Sequence, residues 1–146
     1  MANATLLYAH LCDNVFVSEG GKLNMIGVFA GVNNPGTVGM TQFPSTYPRL
    51  ALAVGLATTR KELPIEVTFR TAKGVDVVPP FDGTVSIERT GGKAEAANVN
   101  FNLNFDTFQV TEPGKLFLTL EVAGSELAEI ELNVQQATPP EPPAAS

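Results

Sequence analysis

The stretch Val99-Asn100-Phe101-Asn102-Leu103-Asn104-Phe105 decides the fold class. Its odd positions are all apolar and its even positions are all asparagine. Successive side chains of an extended strand point to opposite faces, so this spacing sends one row into a core and leaves a carboxamide row outside. A helix would scatter the same residues around its circumference. The segment reads as a strand.

The same period recurs along the chain. Leu50, Leu52, Val54 and Leu56 alternate with Ala51, Ala53, Gly55 and Ala57, whose small size implies that the second face is also closely approached. Ile65, Val67 and Phe69 alternate with Glu66, Thr68 and Arg70, and Val85 and Ile87 with Ser86 and Glu88. Near the end, Leu116, Leu118, Leu120 and Val122 form one row, and Ala128, Ile130, Leu132 and Val134 form another. Earlier strands are expected over residues 5–17 and 23–29, separated by Gly20-Gly21. Turn signals stand at Thr90-Gly91-Gly92-Lys93 and Glu112-Pro113-Gly114. The short link Ala123-Gly124-Ser125-Glu126 predicts a closing antiparallel hairpin. No long amphipathic helix is found. Strands at this spacing with such turns suit a sandwich or a barrel, and the expectation is an all-β, antiparallel two-sheet sandwich with about seven to nine strands. One domain is expected over residues 1–136, followed by an extended Pro/Ala-rich tail over residues 137–146. Residues 31–48 read as the longest irregular stretch.

At 146 residues the chain is long enough to bury a core without staples. Charged residues make up only 16% of it, below the ~25% of an average globular protein. Much of the polar surface must therefore come from Asn, Thr, Ser and Gln. The net charge is −6, from 15 acidic and 9 basic residues. Only Arg60-Lys61 places two basic residues side by side. A nucleic-acid binder needs a concentrated positive footprint, so composition argues for no nucleic acid among the partners. Cys12 is the single cysteine and can form no internal disulfide. No apolar run has the length of a signal peptide or membrane span, so no membrane insertion and a cytoplasmic or virion-associated location are expected.

The order of short motifs carries a resemblance. Leu11-Cys12-Asp13 leads through Gly21-Lys22-Leu23 to Ile26-Gly27-Val28-Phe29. Phe43-Pro44 and Pro48-Arg49-Leu50 follow, and Pro113-Gly114-Lys115-Leu116 precedes the closing hairpin. This resembles a family of small uncharacterised bacterial β-sandwich proteins over about residues 5–134. The resemblance implies the immunoglobulin-like fold and no catalytic residues.

Reactive chemistry is sparse. If Thr5, Leu7, Ala9 and Leu11 face inward, the sole histidine, His10, shares the other face with Tyr8 and Cys12. A Cys–His nucleophile is conceivable on that geometry, against ordinary packing roles for both residues. One His and one Cys fall short of a usual zinc site. Asp76, Asp82 and Glu88, or Glu126, Glu129 and Glu131, follow no recognised cation-loop spacing. Residues 27–39 are glycine-rich but lack the Lys-Ser/Thr ending of a phosphate loop. There is no Trp, and Tyr8 and Tyr47 are the only tyrosines available for a sugar-stacking platform. No catalytic, cofactor-binding or metal-binding residues are assigned, and the chain is expected not to be an enzyme.

Two interaction surfaces stand out. Asn98, Asn100, Asn102 and Asn104 form an uncharged row where strands commonly carry protective charge. The row reads either as a solvated face or as a hydrogen-bonding surface for another copy or a partner. Val38, Met40 and Phe43, in the irregular stretch, are candidate contact anchors. The sequence thus points to a non-catalytic structural or interaction module, a protein partner or self-assembly, and a repeated particle such as a phage as its setting. The alternative is a small-ligand or glycan-binding sandwich using loops at one end.

Overall fold

A computed structural model describes residues 4–18, 22–47, 50–86, 97–105 and 108–137. Gly20-Gly21, the Pro48-Arg49 pair, Ile87, Glu88, the turn at residues 90–93 and the Pro-rich residues 138–143 lie outside these. Strands make up all the regular structure among the described residues. In chain order they are β1 (Thr5–Ser18), β2 (Lys22–Gly31), β3 (Gly36–Met40), β4 (Ser45–Tyr47), β5 (Leu50–Thr58) and β6 (Glu62–Thr71). After these come β7 (Phe81–Ser86), β8 (Ala97–Phe105), β9 (Phe108–Val110), β10 (Gly114–Val122) and β11 (Ser125–Gln136).

Two sheets hold most of them. A four-stranded sheet runs β2-β1-β5-β8, and a five-stranded sheet runs β3-β11-β10-β6-β7. The alternating rows do what their spacing requires. Leu11 of β1 and Leu50, Leu52, Val54 and Leu56 of β5 meet Leu63, Val67 and Phe69 of β6, with Leu118, Leu120, Ile130 and Leu132 of the closing hairpin, in one core cluster. All are at most 1% exposed. Burying each such side chain stabilises the fold by about 1.5–3 kcal/mol. β4 and β9 form a small third sheet. Tyr47 of β4 stacks on Phe108 of β9, with centroids 5.2 Å apart and planes at 16°. Phe108 in turn packs 5.4 Å from Phe69, which meets Phe105 edge-on at 6.0 Å. This aromatic group ties all three sheets together.

Four expectations need correction. The sandwich is not wholly antiparallel, because β3 pairs in parallel with β11, from Gly36 opposite Leu132 to Met40 opposite Gln136. With eleven strands among the described residues, the small third sheet exceeds the expected number. Residues 31–48 are not an irregular loop, since they contain β3 and β4. Both strands are too short to show a period, and long-range pairing makes them extended. Finally, Leu7 does not face inward. It is 51% exposed, whereas Leu6 packs against the core. The pairing of β1 with β5 shifts register between Leu6 and Tyr8, and such an irregularity reverses the phase of every residue before it.

Candidate functional site

The outer face of the four-stranded sheet is built row by row. β5 pairs with β8 so that Ala51, Ala53, Gly55 and Ala57 stand opposite Asn104, Asn102, Asn100 and Asn98. On its other side, β5 places the same Ala51, Ala53 and Gly55 opposite Cys12, His10 and Tyr8. One face therefore presents a carboxamide row, a floor of small residues and a Tyr-His-Cys row, and none of these residues is Asp, Glu, Lys or Arg. The asparagines do turn away from the core: Asn98, Asn100 and Asn104 are exposed and Asn102 is half-buried.

The floor is closed as well as small. Ala51 and Ala53 are buried together with Cys12, and Tyr8 and Met25 pack against them. Tyr8 lies across the sheet over Gly55, where an added Cβ would overlap the phenol ring. Its hydroxyl donates to Asn100 Oδ1 at 2.7 Å, joining β1 to β8 over the intervening strand. Burial pushes the Tyr8 phenol above the ordinary tyrosine range. The His10 ring stacks on Tyr8 with centroids 5.7 Å apart and planes at 14°. It also lies against Gly31, whose added Cβ would fall 2.8 Å from His10 Nδ1. Two close approaches thus seat two rings on the sheet.

His10 and Cys12 share this face as the alternation required. Cys12 is fully buried, and its Sγ faces the His10 backbone carbonyl oxygen at 3.8 Å. Burial, and then the nearby Asp13 carboxylate, push the thiol up, which disfavours the nucleophilic thiolate. Among the acidic candidates, Asp76 pairs with Arg70 at 2.8 Å and Glu131 with Lys115 at 3.3 Å. Among the described residues no group of three or more His, Cys, Asp or Glu side chains is placed to hold a metal ion.

The second predicted surface lies along β3 and the turn after it. Met40 is buried in the core, and Val38 and Phe43 are partly buried against it. All three contribute to the packing of β3 and the following turn. Val38 and Met40 do help line a cleft of about 370 Å³ with Thr41, Ser45, Thr46 and Tyr47. A second cleft, of about 300 Å³, opens between Val78, Pro79, Pro80 and Phe81 on one side and Leu103, Asn104 and Phe105 on the other. Tyr8 was legible as an outward residue. Its bond to the asparagine row was not, because that bond depends on β5 lying between strands far apart in sequence.

These features define a β-sandwich whose four-stranded sheet presents uncharged outer rows from β1, β5 and β8. The chain belongs to a family of unknown function (DUF6941), whose model matches residues 7–135. No curated protein matches it. Among solved structures, it is similar to an alkylpurine DNA glycosylase from Pseudomonas fluorescens bound to DNA containing an abasic-site analogue. The identity is 10% and the TM-score 0.47, over 92% of this chain and 31% of the glycosylase. The chain thus spans about a third of that protein's length. This finding corrects the expectation of no nucleic acid. A likeness of that size assigns no ligand to the present chain. Among the described residues no helix is long and apolar enough to cross a membrane.

Proposed function

We propose that the chain is a non-catalytic interaction module that associates with further copies of itself through the outer face of the four-stranded sheet, as a subunit of a repeated assembly. The observation that carries this reading is an uncharged carboxamide face on a chain of net charge −6. Identical acidic subunits repel one another, and a face without charge is where they come together at least cost. Each asparagine carboxamide both donates and accepts, so the row Asn98, Asn100, Asn102 and Asn104 is complementary to its own copy across a two-fold axis. A particle built of many copies, a virion among them, is a setting in which such a contact repeats. The parallel edge strand β3, beside the order β11-β10-β6-β7, supports the immunoglobulin-like form of sandwich.

Light scattering tests the reading. The wild-type chain should exceed the mass of a monomer at high micromolar concentration. The double substitution Asn100→Asp and Asn102→Asp should return it to monomer, and added salt should restore part of the association by screening the new charges. Thr119→Asp, on the outer face of the other sheet, should leave the mass unchanged. A wild-type chain that stays monomeric, or equal loss with both sets of substitutions, would refute the reading.

One observation favours the alternative of a small neutral ligand. The nearly parallel Tyr8 and His10 rings, beside the carboxamide row, suit a saccharide ring. On this reading the ligand lies on the sheet face instead of at the loops of one end. A thermal shift with a saccharide, abolished by Tyr8→Ala, would favour it over self-association.

A further inference from the structure

We infer that the outer edge of β8 pairs antiparallel with β8 of a second copy about a two-fold axis at Phe101, joining two four-stranded sheets into one. The contact lies on the rim of the sheet and not on its outer face, so it goes beyond the association proposed above. Among the described residues β8 pairs with β5 alone, from Leu50 opposite Phe105 to Thr58 opposite Ala97. That ladder keeps its register throughout, whereas β1 shifts against both β2 and β5. Sheet edges normally carry devices against pairing with another chain, such as charge, proline, a bulge or short length. The other edges have them. β2 carries Lys22 and a register shift against β1. β3 is five residues long, and β7 is six residues long with Asp82. The nine residues Ala97–Phe105 include no charge and no proline.

The inner row of β8 is left half-open as well. Val99, Phe101 and Leu103 are half-buried, whereas Leu56, Val54 and Leu52, which they face on β5, are fully buried. A strand added at this edge covers that row. The pattern of β8 itself names the occupant. Rotation about Phe101 sets Asn100 of one copy against Asn102 of the other and Asn98 against Asn104, with Val99 against Leu103 on the inner side. Every pair is like with like. Carboxamides donate and accept across the outer row, and apolar side chains meet within. Neither β8 nor β5 behind it bears a charge, so two chains of net charge −6 approach there without local repulsion. An isologous contact closes on itself, so a single one yields only a dimer. The edge and the outer face together give the open series of copies that a repeated assembly needs.

Isotope-filtered NMR on an equal mixture of labelled and unlabelled full chain at millimolar concentration tests this. Backbone protons of residues 100–102 in one copy should show contacts with those in the other, because paired strands bring opposed Cα atoms to about 4.5–5.5 Å. Val99→Lys places a charge on the inner row and leaves the outer face untouched. It should abolish those contacts and weaken association about tenfold in light scattering. If that variant does not fold, the wild-type spectra decide alone. Contacts between copies confined to side chains of the outer face would overturn the edge pairing and keep the face contact. No contacts between copies at all would overturn both.

Discussion

The two outer faces of this sandwich are built by the same alternation and end up with opposite chemistry. On the five-stranded sheet, β6 alternates exposed and buried residues along most of its length. Its outer row carries Glu66 and Arg70, and neighbouring strands add Lys115, Glu121, Glu129 and Glu131. On the four-stranded sheet, the residues of β5 from Leu50 to Leu56 are all buried, and the flanking outer rows are Tyr8, His10 and Cys12 on one side and asparagine on the other. Charge defends the first face against wrong contacts, at the cost of unfavourable neighbours. Glu121 stands directly opposite both Glu66 and Glu126. The rows from β1, β5 and β8 on the second face have no such neighbours and no such defence. Evenly built sheets thus divide into a solvated side and a side fit for contact through the choice of the alternate residues alone.

The largest effect expected from testing this contrast lies at Gly55. Gly55→Val must displace the Tyr8 ring and should destabilise by about 1–3 kcal/mol, as overpacking does. The same change at Thr68, on the outer row of β6, should stay within about 0.5 kcal/mol. Equal effects in chemical denaturation would mean that the two faces are equally open.

A smaller effect is expected at Tyr8. Tyr8→Phe removes the hydroxyl that reaches Asn100 and should cost about 0.5–1.5 kcal/mol, toward the lower end because the bond is exposed. The phenol pKa is raised in the folded state, so the folded chain holds this proton more tightly than the unfolded chain does. Stability from this source is complete below the ordinary tyrosine range and is lost as pH rises through the higher folded value. Tyr47 is shifted the same way by burial and by Asp13. A wild-type stability that rises across the alkaline range would contradict both assignments.

The smallest effect concerns charge. Glu121→Lys turns two like-charged oppositions into attractive ones and should stabilise by about 0.5 kcal/mol. High salt should erase most of that gain. A gain that survives in strong salt would point to packing instead of charge.

Much of the fold was legible because its long strands bury one face. The rows from Leu50, from Leu116 and from Ala128 fall in the core as their spacing demanded. The small residues Ala51 and Ala53 correctly signalled a second closed face, at 1% and 0% exposure. The asparagines of β8 point outward as read. Other features left no local mark. β3, β4 and β9 are five, three and three residues long, too short for a period to register. The Leu7 reversal came from a shift against β5 that no property of Leu7 announces. Met40 is buried because its strand lies beside β11, distant in sequence.

The sequence by itself determined that the long strands are extended, which side chains of β5, β10 and β11 go inward, and that one strand carries an uncharged row. Those properties follow from neighbours two residues apart, and period two is written locally. Tertiary structure alone decided the strand order β2-β1-β5-β8, the parallel seat of β3 beside β11, and the reach of Tyr8 over Gly55 to Asn100. Each of these depends on which distant segments become neighbours, and backbone hydrogen bonds make that choice without regard to separation along the chain.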